Sequence, residues 1–159
     1  MGGWSCADAA RRVILCWLYG AASLLALVGT WRQNVAYFRP EDGALSGFVL
    51  ATGRFWVDTV VNPASTSITV DLGLLLLPLF ALMIIESRRL GIPLVWAYIV
   101  LGLVVAISAT FPLFLIARER RLAARWASTD SFGFTTADAS GMLLLSAAAV
   151  VFTLWTIAR

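Results

Sequence analysis

From Leu90 to Ala117 the chain runs for 28 residues without a charged side chain, closing with Phe111-Pro112-Leu113-Phe114-Leu115 and then Arg118-Glu119-Arg120-Arg121. About 20 apolar residues, each rising ~1.5 Å along a helix, cross the hydrocarbon core of a bilayer. A run of this length makes lipid the solvent of the fold. The composition agrees: hydrophobic residues are 60% of the sequence and charged ones 13%, against roughly 45–50% and 25% in an ordinary globular domain. The 159 residues give room for one domain, an all-α integral membrane bundle of about four transmembrane helices.

Two residue types are missing, and their absence excludes much chemistry. There is no histidine, and all 12 basic residues are arginine. Without imidazole there is no Ser-His-Asp triad and no His-ligated haem, copper or iron. Without lysine there is no Schiff-base chemistry and no retinal-type chromophore. Cys6 and Cys16 are too few for a thiolate zinc or iron–sulfur site within one chain. One lies in an apolar run and the other outside it, which argues against a disulfide framework. No cofactor and no metal are expected. The net charge of +3 is gathered in Arg clusters at the ends of apolar runs, a placement suited to lipid headgroups rather than nucleic acid. The expected partners are the lipid bilayer and a second membrane-embedded chain, either a homo-oligomer or a different protein.

Four spans are expected, at about 13–31, 64–86, 93–117 and 140–158. The first follows Arg11-Arg12 and carries Ala22, Ala26, Gly29 and Thr30 at helical spacing, small residues that let a neighbouring helix approach closely. It lacks a small-x-small cleavage site and is followed by further spans, so it reads as a retained helix rather than a secretion signal. Residues 32–62 form the longest connection. Within it Leu45, Phe48, Val49, Phe55, Trp56 and Val60 share one helical face, with Arg54 and Asp58 at i,i+4 on another, predicting an interfacial amphipathic helix between the first and second spans. Asn62-Pro63 is a helix start. Leu90-Gly91-Ile92-Pro93 is a tight turn that makes its flanking helices antiparallel neighbours. Pro112 deprives the Ser108 carbonyl of its helical donor. Four straight spans put Arg11, Arg12, Arg88, Arg89 and Arg159 on the N-terminal side. Arg32, Arg39, Arg54, Arg118, Arg120, Arg121 and Arg125 fall on the other, too even a split to orient the chain.

Few residues could carry chemistry. Asp71 lies eight residues into its helix, ~12 Å along the axis. An ionised carboxylate that reaches the bilayer centre costs ~2.5–3.5 kcal/mol on insertion scales. It therefore reads either as a catalytic proton donor, with Ser67 one turn earlier hydrogen-bonded to it, or as a surface carboxylate that pairs with an arginine and locks helix packing. Glu86 is a weaker catalytic candidate, ~22 Å further along the same helix and so too far to form a dyad with Asp71. Its plainer reading is an ion pair with Arg89 at i+3 or with a base from a neighbouring helix. Arg118, Arg121 and Arg125 share a face with Trp126 beside them, which reads as a lipid- or phosphate-binding set or as snorkelling anchors. Trp17, Trp31, Trp56, Trp96, Trp126 and Trp155 fit an aromatic belt, and an aromatic-lined cavity is the alternative.

These segments taken in order resemble a known family. Asn62-Pro63-Ala64 followed by Asp71-Leu72, then Glu86-x-Arg88-Arg89-Leu90-Gly91, Trp96-x-Tyr98, and Phe111-Pro112-Leu113-Phe114-Leu115-x-x-Arg118-Glu119-Arg120, is similar to a family of short microbial polytopic membrane proteins classified as a domain of unknown function. The resemblance covers residues 62–122 well and the first span loosely. It implies a multi-pass bundle of roughly four helices and brings no assigned reaction. In kind, the chain is also similar to the small polytopic cyclases of microbial terpenoid pathways, whose intramembrane acids protonate an isoprenoid. The leading expectation is a small accessory subunit, or a handler of a lipophilic compound. The alternative is a cofactor-free membrane cyclase or isomerase with Asp71 as general acid on an isoprenoid-like or polyketide substrate. A small proton-coupled transporter is the third.

Overall fold

The computed structural model describes residues 6–125 and 136–158. The described residues form six α-helices: α1 Cys6–Asn34, α2 Ala44–Asp58, α3 Pro63–Leu90, α4 Val95–Leu101, α5 Ile107–Arg125 and α6 Thr136–Ala158. Among the described residues there is no strand. Three runs, Arg12–Tyr37, Pro63–Leu90 and Val95–Ala124, are long and apolar enough to cross a membrane, and Leu143–Trp155 is a shorter apolar helix. The protein is a multi-pass, all-α integral membrane protein, with α2 between the first and second long runs.

The local sequence explains where α3 begins and ends. The Asn62 side chain accepts from the Ser65 N–H at 2.9 Å, while the Ser65 hydroxyl reaches back to the Asn62 N–H at 3.3 Å. Pro63 occupies the first turn, where its missing N–H costs nothing. At the other end Gly91 adopts φ +67°, the left-handed conformation that closes a helix, and the Ile92 N–H bonds the Ser87 carbonyl at 3.0 Å. The Ser87 hydroxyl ties the same turn to the Ile92 carbonyl at 2.7 Å.

The third long run does not continue straight. Between α4 and α5 lies a wide π-type turn, Gly102–Ala106, and the chain doubles back there. Tyr98 and Phe114 stand edge to face with ring centroids 5.8 Å apart, although 16 residues of unbroken helix would separate their backbones by ~24 Å. Gly102 makes the turn by having no side chain. A Cβ on it would lie 2.8 Å from Ile107 Cδ1 and 2.9 Å from Thr110 Oγ1. The returning arm packs Phe114 into the best-buried cluster of the bundle, with Met83, Leu90, Ile92, Val95 and Ile99. Each such side chain gains tens of close contacts, small singly and large together.

α5 then lies along α1, the most extensive helix pairing in the bundle. The buried Ser23 hydroxyl donates to the Ala109 carbonyl at 2.8 Å, where small residues bring the two backbones together. Ser23 is buried in this contact, and Ala22 beside it is exposed. Gly29 meets α6, a Cβ there falling 3.0 Å from Thr153 Cγ2.

Two local expectations change. α2 turns its small residues inward, Gly47 and Ala51 being buried, while Leu45, Val49, Trp56 and Val60 are exposed. Gly47 is covered by Asp42 of the turn just before the helix, and Phe48 and Phe55 of the expected apolar face are half-buried. Arg54 does not hold Asp58 at i,i+4. It reaches back to Asp42 at 2.6 Å and to the Tyr37 carbonyl at 3.3 Å. The connection before α2 is short enough to bring that carboxylate beneath the guanidinium.

Candidate functional site

α4 and α5 double back at Gly102–Ala106, and a cavity of about 530 Å³ lies beyond that turn. Its floor is the wide turn Gly102–Ala106 with Ile107 and Ser108. Its walls are the end of α1, from Gly29 to Asn34, and Leu72 and Leu76 of α3. Its roof is α2, through Phe48, Ala51, Thr52, Phe55 and Trp56, with Phe38 at the edge. Aromatic contacts stiffen the roof. Phe38 stacks on Trp31 at 6.3 Å and meets Phe48 at 6.1 Å, and Phe55 stands edge-on to Trp56 at 5.7 Å. The Arg54–Asp42 ion pair clamps α2 over the chamber, and the guanidinium holds the Asp42 carboxyl below its ordinary range by hydrogen bonding and charge.

The lining is apolar with a few polar atoms. The Thr30 and Thr52 hydroxyls are spent on the carbonyls one turn back, Ala26 and Phe48, each at 2.8 Å. Trp31 Nε1 is buried with no acceptor among the described residues, and an unpaired buried donor costs ~1–3 kcal/mol. Ser108 also lines the chamber, and Pro112 leaves its carbonyl without the usual helical N–H.

The catalytic candidates lie elsewhere. Asp71 is exposed on α3 in a shallow groove with Val60, Asn62, Thr66, Ser67 and Val70. Its neighbour Leu72 faces the cavity and Asp71 does not. Among the described residues Asp71 makes no ion pair or hydrogen bond, and the expected bond from Ser67 is not formed. Among the described residues no carboxylate lines the chamber.

Glu86 is buried and held from two sides: Arg89 at 3.0 Å on its own helix and Arg118 at 2.8 Å from α5. Arg118 also contacts Glu119 at 3.1 Å. This contact corrects the expected sidedness of the arginines. Arg118 follows Pro93 by 25 residues, ~37 Å of straight helix, yet it meets a residue beside that same turn because the chain returns. The two arms of the ion pair come from the two motif segments, Glu86-x-Arg88-Arg89 and Arg118-Glu119-Arg120. With Arg118 engaged, the expected Arg118–Arg121–Arg125 set is not a free anion site as a unit. Arg121 is exposed, and the side chain of Arg125 and all of Trp126 lie outside the described residues. Among the described residues no cluster of ligating side chains could hold a metal ion.

Residues 18–120 match the family described as Protein of unknown function DUF2834. The chain belongs to that family. The matched segment takes in the facing parts of α1 and α5, the whole cavity and the Glu86–Arg118 pair, and it leaves out α6. No curated protein matches the sequence, and no solved structure matches it.

Sequence reasoning named Trp31 and Trp56 for a belt or an aromatic-lined cavity and Phe48 for an amphipathic face, and it missed Phe38 and Gly102. One signal was available. The uncharged run of 28 residues exceeds the ~20 that a crossing needs and carries Gly102 near its middle.

Proposed function

We propose that this protein binds a lipophilic molecule in the chamber beneath α2. The single observation behind this reading is the cavity itself, about 530 Å³ and walled by aromatic and aliphatic side chains. That volume lies within the ~300–1,000 Å³ range of small-molecule pockets, and the sparse polar lining suits an apolar body. The buried Trp31 N–H supports a ligand with one oxygen acceptor, such as a carbonyl or hydroxyl, because that bond would relieve an unpaired donor. Asp71 lines a different groove from the chamber, which supports binding over an Asp71-driven cyclisation of the bound molecule.

Trp31 and Trp56 make the binding observable. Purified protein titrated with brominated fatty alcohols or with a short-chain quinone should lose indole emission saturably. Filling the chamber by Ala51→Phe, at a residue only 3% exposed, or by Ala106→Phe should weaken that quenching at least tenfold. Equal quenching of the filled variants and the parent protein would sink the reading.

A further inference from the structure

The path of the backbone fixes which helix ends share a face of the bundle, and the arginines then orient that face. Ser23 of α1 meets Ala109 of α5, and Tyr19, one turn nearer the start of α1, lies within electrostatic reach of Arg118 and Glu119. Lower numbers on α1 therefore meet higher numbers on α5, and the two helices are antiparallel. The end of α5 lies with the start of α1. The Glu86–Arg118 pair puts the end of α3 at that same face, and the turn at Gly91 puts the start of α4 there too. Thr153, late in α6, packs against Gly29, late in α1. If α6 ran the other way, its 17 residues before Thr153 would project ~25 Å beyond that contact, well past the end of α1. It therefore runs with α1.

We propose that α4 and α5 form a re-entrant hairpin that enters and leaves the bilayer through the face where α1 begins, and that this face meets the anionic headgroups of the cytoplasmic leaflet. The crossings are then α1, α3 and α6. Arg11 and Arg12 at the start of α1, Arg88 and Arg89 at the end of α3, and Arg118, Arg120, Arg121 and Arg125 along the end of α5 all fall on this face. Arg32, Arg39 and Arg54 fall on the other. Among the described residues the split is eight against three, and it is still eight against four with Arg159 counted against it, the bias that the positive-inside rule reads as cytoplasmic. Straight spans had hidden it by sending the four arginines of α5 to the wrong side. Basic residues at this surface each gain ~1 kcal/mol from anionic lipid, and Arg88, Arg89, Arg120 and Arg121 are exposed to take it. The turn Gly102–Ala106 is then the deepest point of the hairpin. Its helical hydrogen bonds run through the bend, so little polar backbone is left facing hydrocarbon.

The test uses the full chain with Cys6→Ser and Cys16→Ser, expressed in a bacterial inner membrane, with single cysteines at Glu41→Cys, Pro93→Cys and Ala124→Cys. All three positions are exposed. A membrane-impermeant maleimide applied to intact cells should label only the Glu41→Cys chain. Permeabilised cells should label all three. Labelling of Pro93→Cys and Ala124→Cys from opposite sides would overturn the hairpin. Labelling of both from outside, with Glu41→Cys protected, would overturn the orientation and keep the hairpin. A reporter enzyme active only outside the cytoplasm, fused after Arg159, gives an independent reading. Three crossings predict activity, and an even number predicts none. Neither measurement depends on a ligand, so the cavity reading can fail while this one stands.

Discussion

Removing Arg118 is the most direct test of the folded-back path, because that side chain reaches Glu86 only if the third run returns. The Glu86 side chain is 11% exposed, Arg118 is 30% exposed and Arg89 is 60% exposed. Breaking one side of a fully buried pair costs ~3–5 kcal/mol. Two features lower that figure here. Arg118 is partly solvated, and Arg89 remains to neutralise the carboxylate. Arg118→Met should therefore destabilise the bundle by about 2 kcal/mol. Arg89→Met removes a mostly exposed i,i+3 pair and should cost ~0.3–0.5 kcal/mol. The asymmetry is the prediction. Two contacts of similar length to one carboxylate should differ severalfold in worth, because one joins two helices in a buried place and the other lies along a helix surface.

The measurement is reversible unfolding in mixed micelles, followed by tryptophan emission, for the parent and four variants: Arg118→Met, Arg89→Met, Glu86→Gln, and Glu86→Gln with Arg118→Met. The double variant leaves neither charge buried alone. It should be more stable than the sum of its singles by at least ~1 kcal/mol. A coupling of zero, or equal costs for Arg118→Met and Arg89→Met, would refute the contact and the doubled-back path with it.

Gly102→Val should cost more than Gly102→Ala. The Cβ alone would lie 2.8 Å from Ile107 Cδ1 and 2.9 Å from Thr110 Oγ1, and valine adds two methyl groups to it, so a loss of ~1–3 kcal/mol, or failure to accumulate in the membrane, is expected; a neutral valine variant would contradict the close approach. Asn62→Ala removes the cap at the start of α3 and should cost ~1 kcal/mol by the same unfolding measurement, with Asn62→Asp retaining most of it. The Asp42–Arg54 clamp should depend on acid. Its carboxyl titrates below the ordinary value of 3.8 in the folded chain, chiefly through its hydrogen bond to Arg54. As pH falls, the unfolded chain takes up this proton first, so the clamp's contribution is full above about pH 4 and is lost below it as the folded carboxyl protonates. Protease protection of α2 should fall in that acid window for the parent. It should already be low at neutral pH for Arg54→Met, and an acid-insensitive parent would count against the clamp.

How much of this was legible beforehand can be followed residue by residue. Lipid as solvent followed from the uncharged run and from the scarcity of charge. The start of α3 at Asn62-Pro63 and its end at Gly91 were written in local chemistry, since caps and turns depend on residues adjacent in sequence. Glu86 was legible as one half of an ion pair, and its partners were not, because Arg118 is 32 positions away and a straight span would carry it across the membrane. The bend at Gly102 carries no proline and no charge, so hydropathy reads straight through it. Only packing distinguishes a glycine that lets two arms close from one that merely interrupts a helix. The face of α2 was legible only in part: hydrophobic periodicity marks Phe48, Phe55 and Trp56, whereas the burial of Gly47 comes from Asp42 in the turn before the helix.

The bend, the ion pair and the chamber have one cause. A third helix running straight from Val95 would fill the space now bounded by Leu76, Phe48 and Trp31, and it would carry Arg118 to the face opposite Glu86. Turning at Gly102 does both things at once: it withdraws the helix from half of the bundle and delivers its arginine to the carboxylate at the entry face. The return arm must then be held against the gain it would make by extending through lipid. Beside the pairing of α5 with α1, Phe114, 1% exposed, and the Glu86–Arg118 pair hold it against α3 and α4, one contact apolar and one charged. If that is their role, loosening them should empty the reason for the chamber as well. Arg118→Met should weaken ligand quenching at Trp31 although Arg118 does not line the cavity, whereas Ala51→Phe should weaken quenching and leave the Glu86–Arg118 coupling intact. One-way dependence of that kind follows from a chamber created by the hairpin, and mutual independence would mean that the void has another origin.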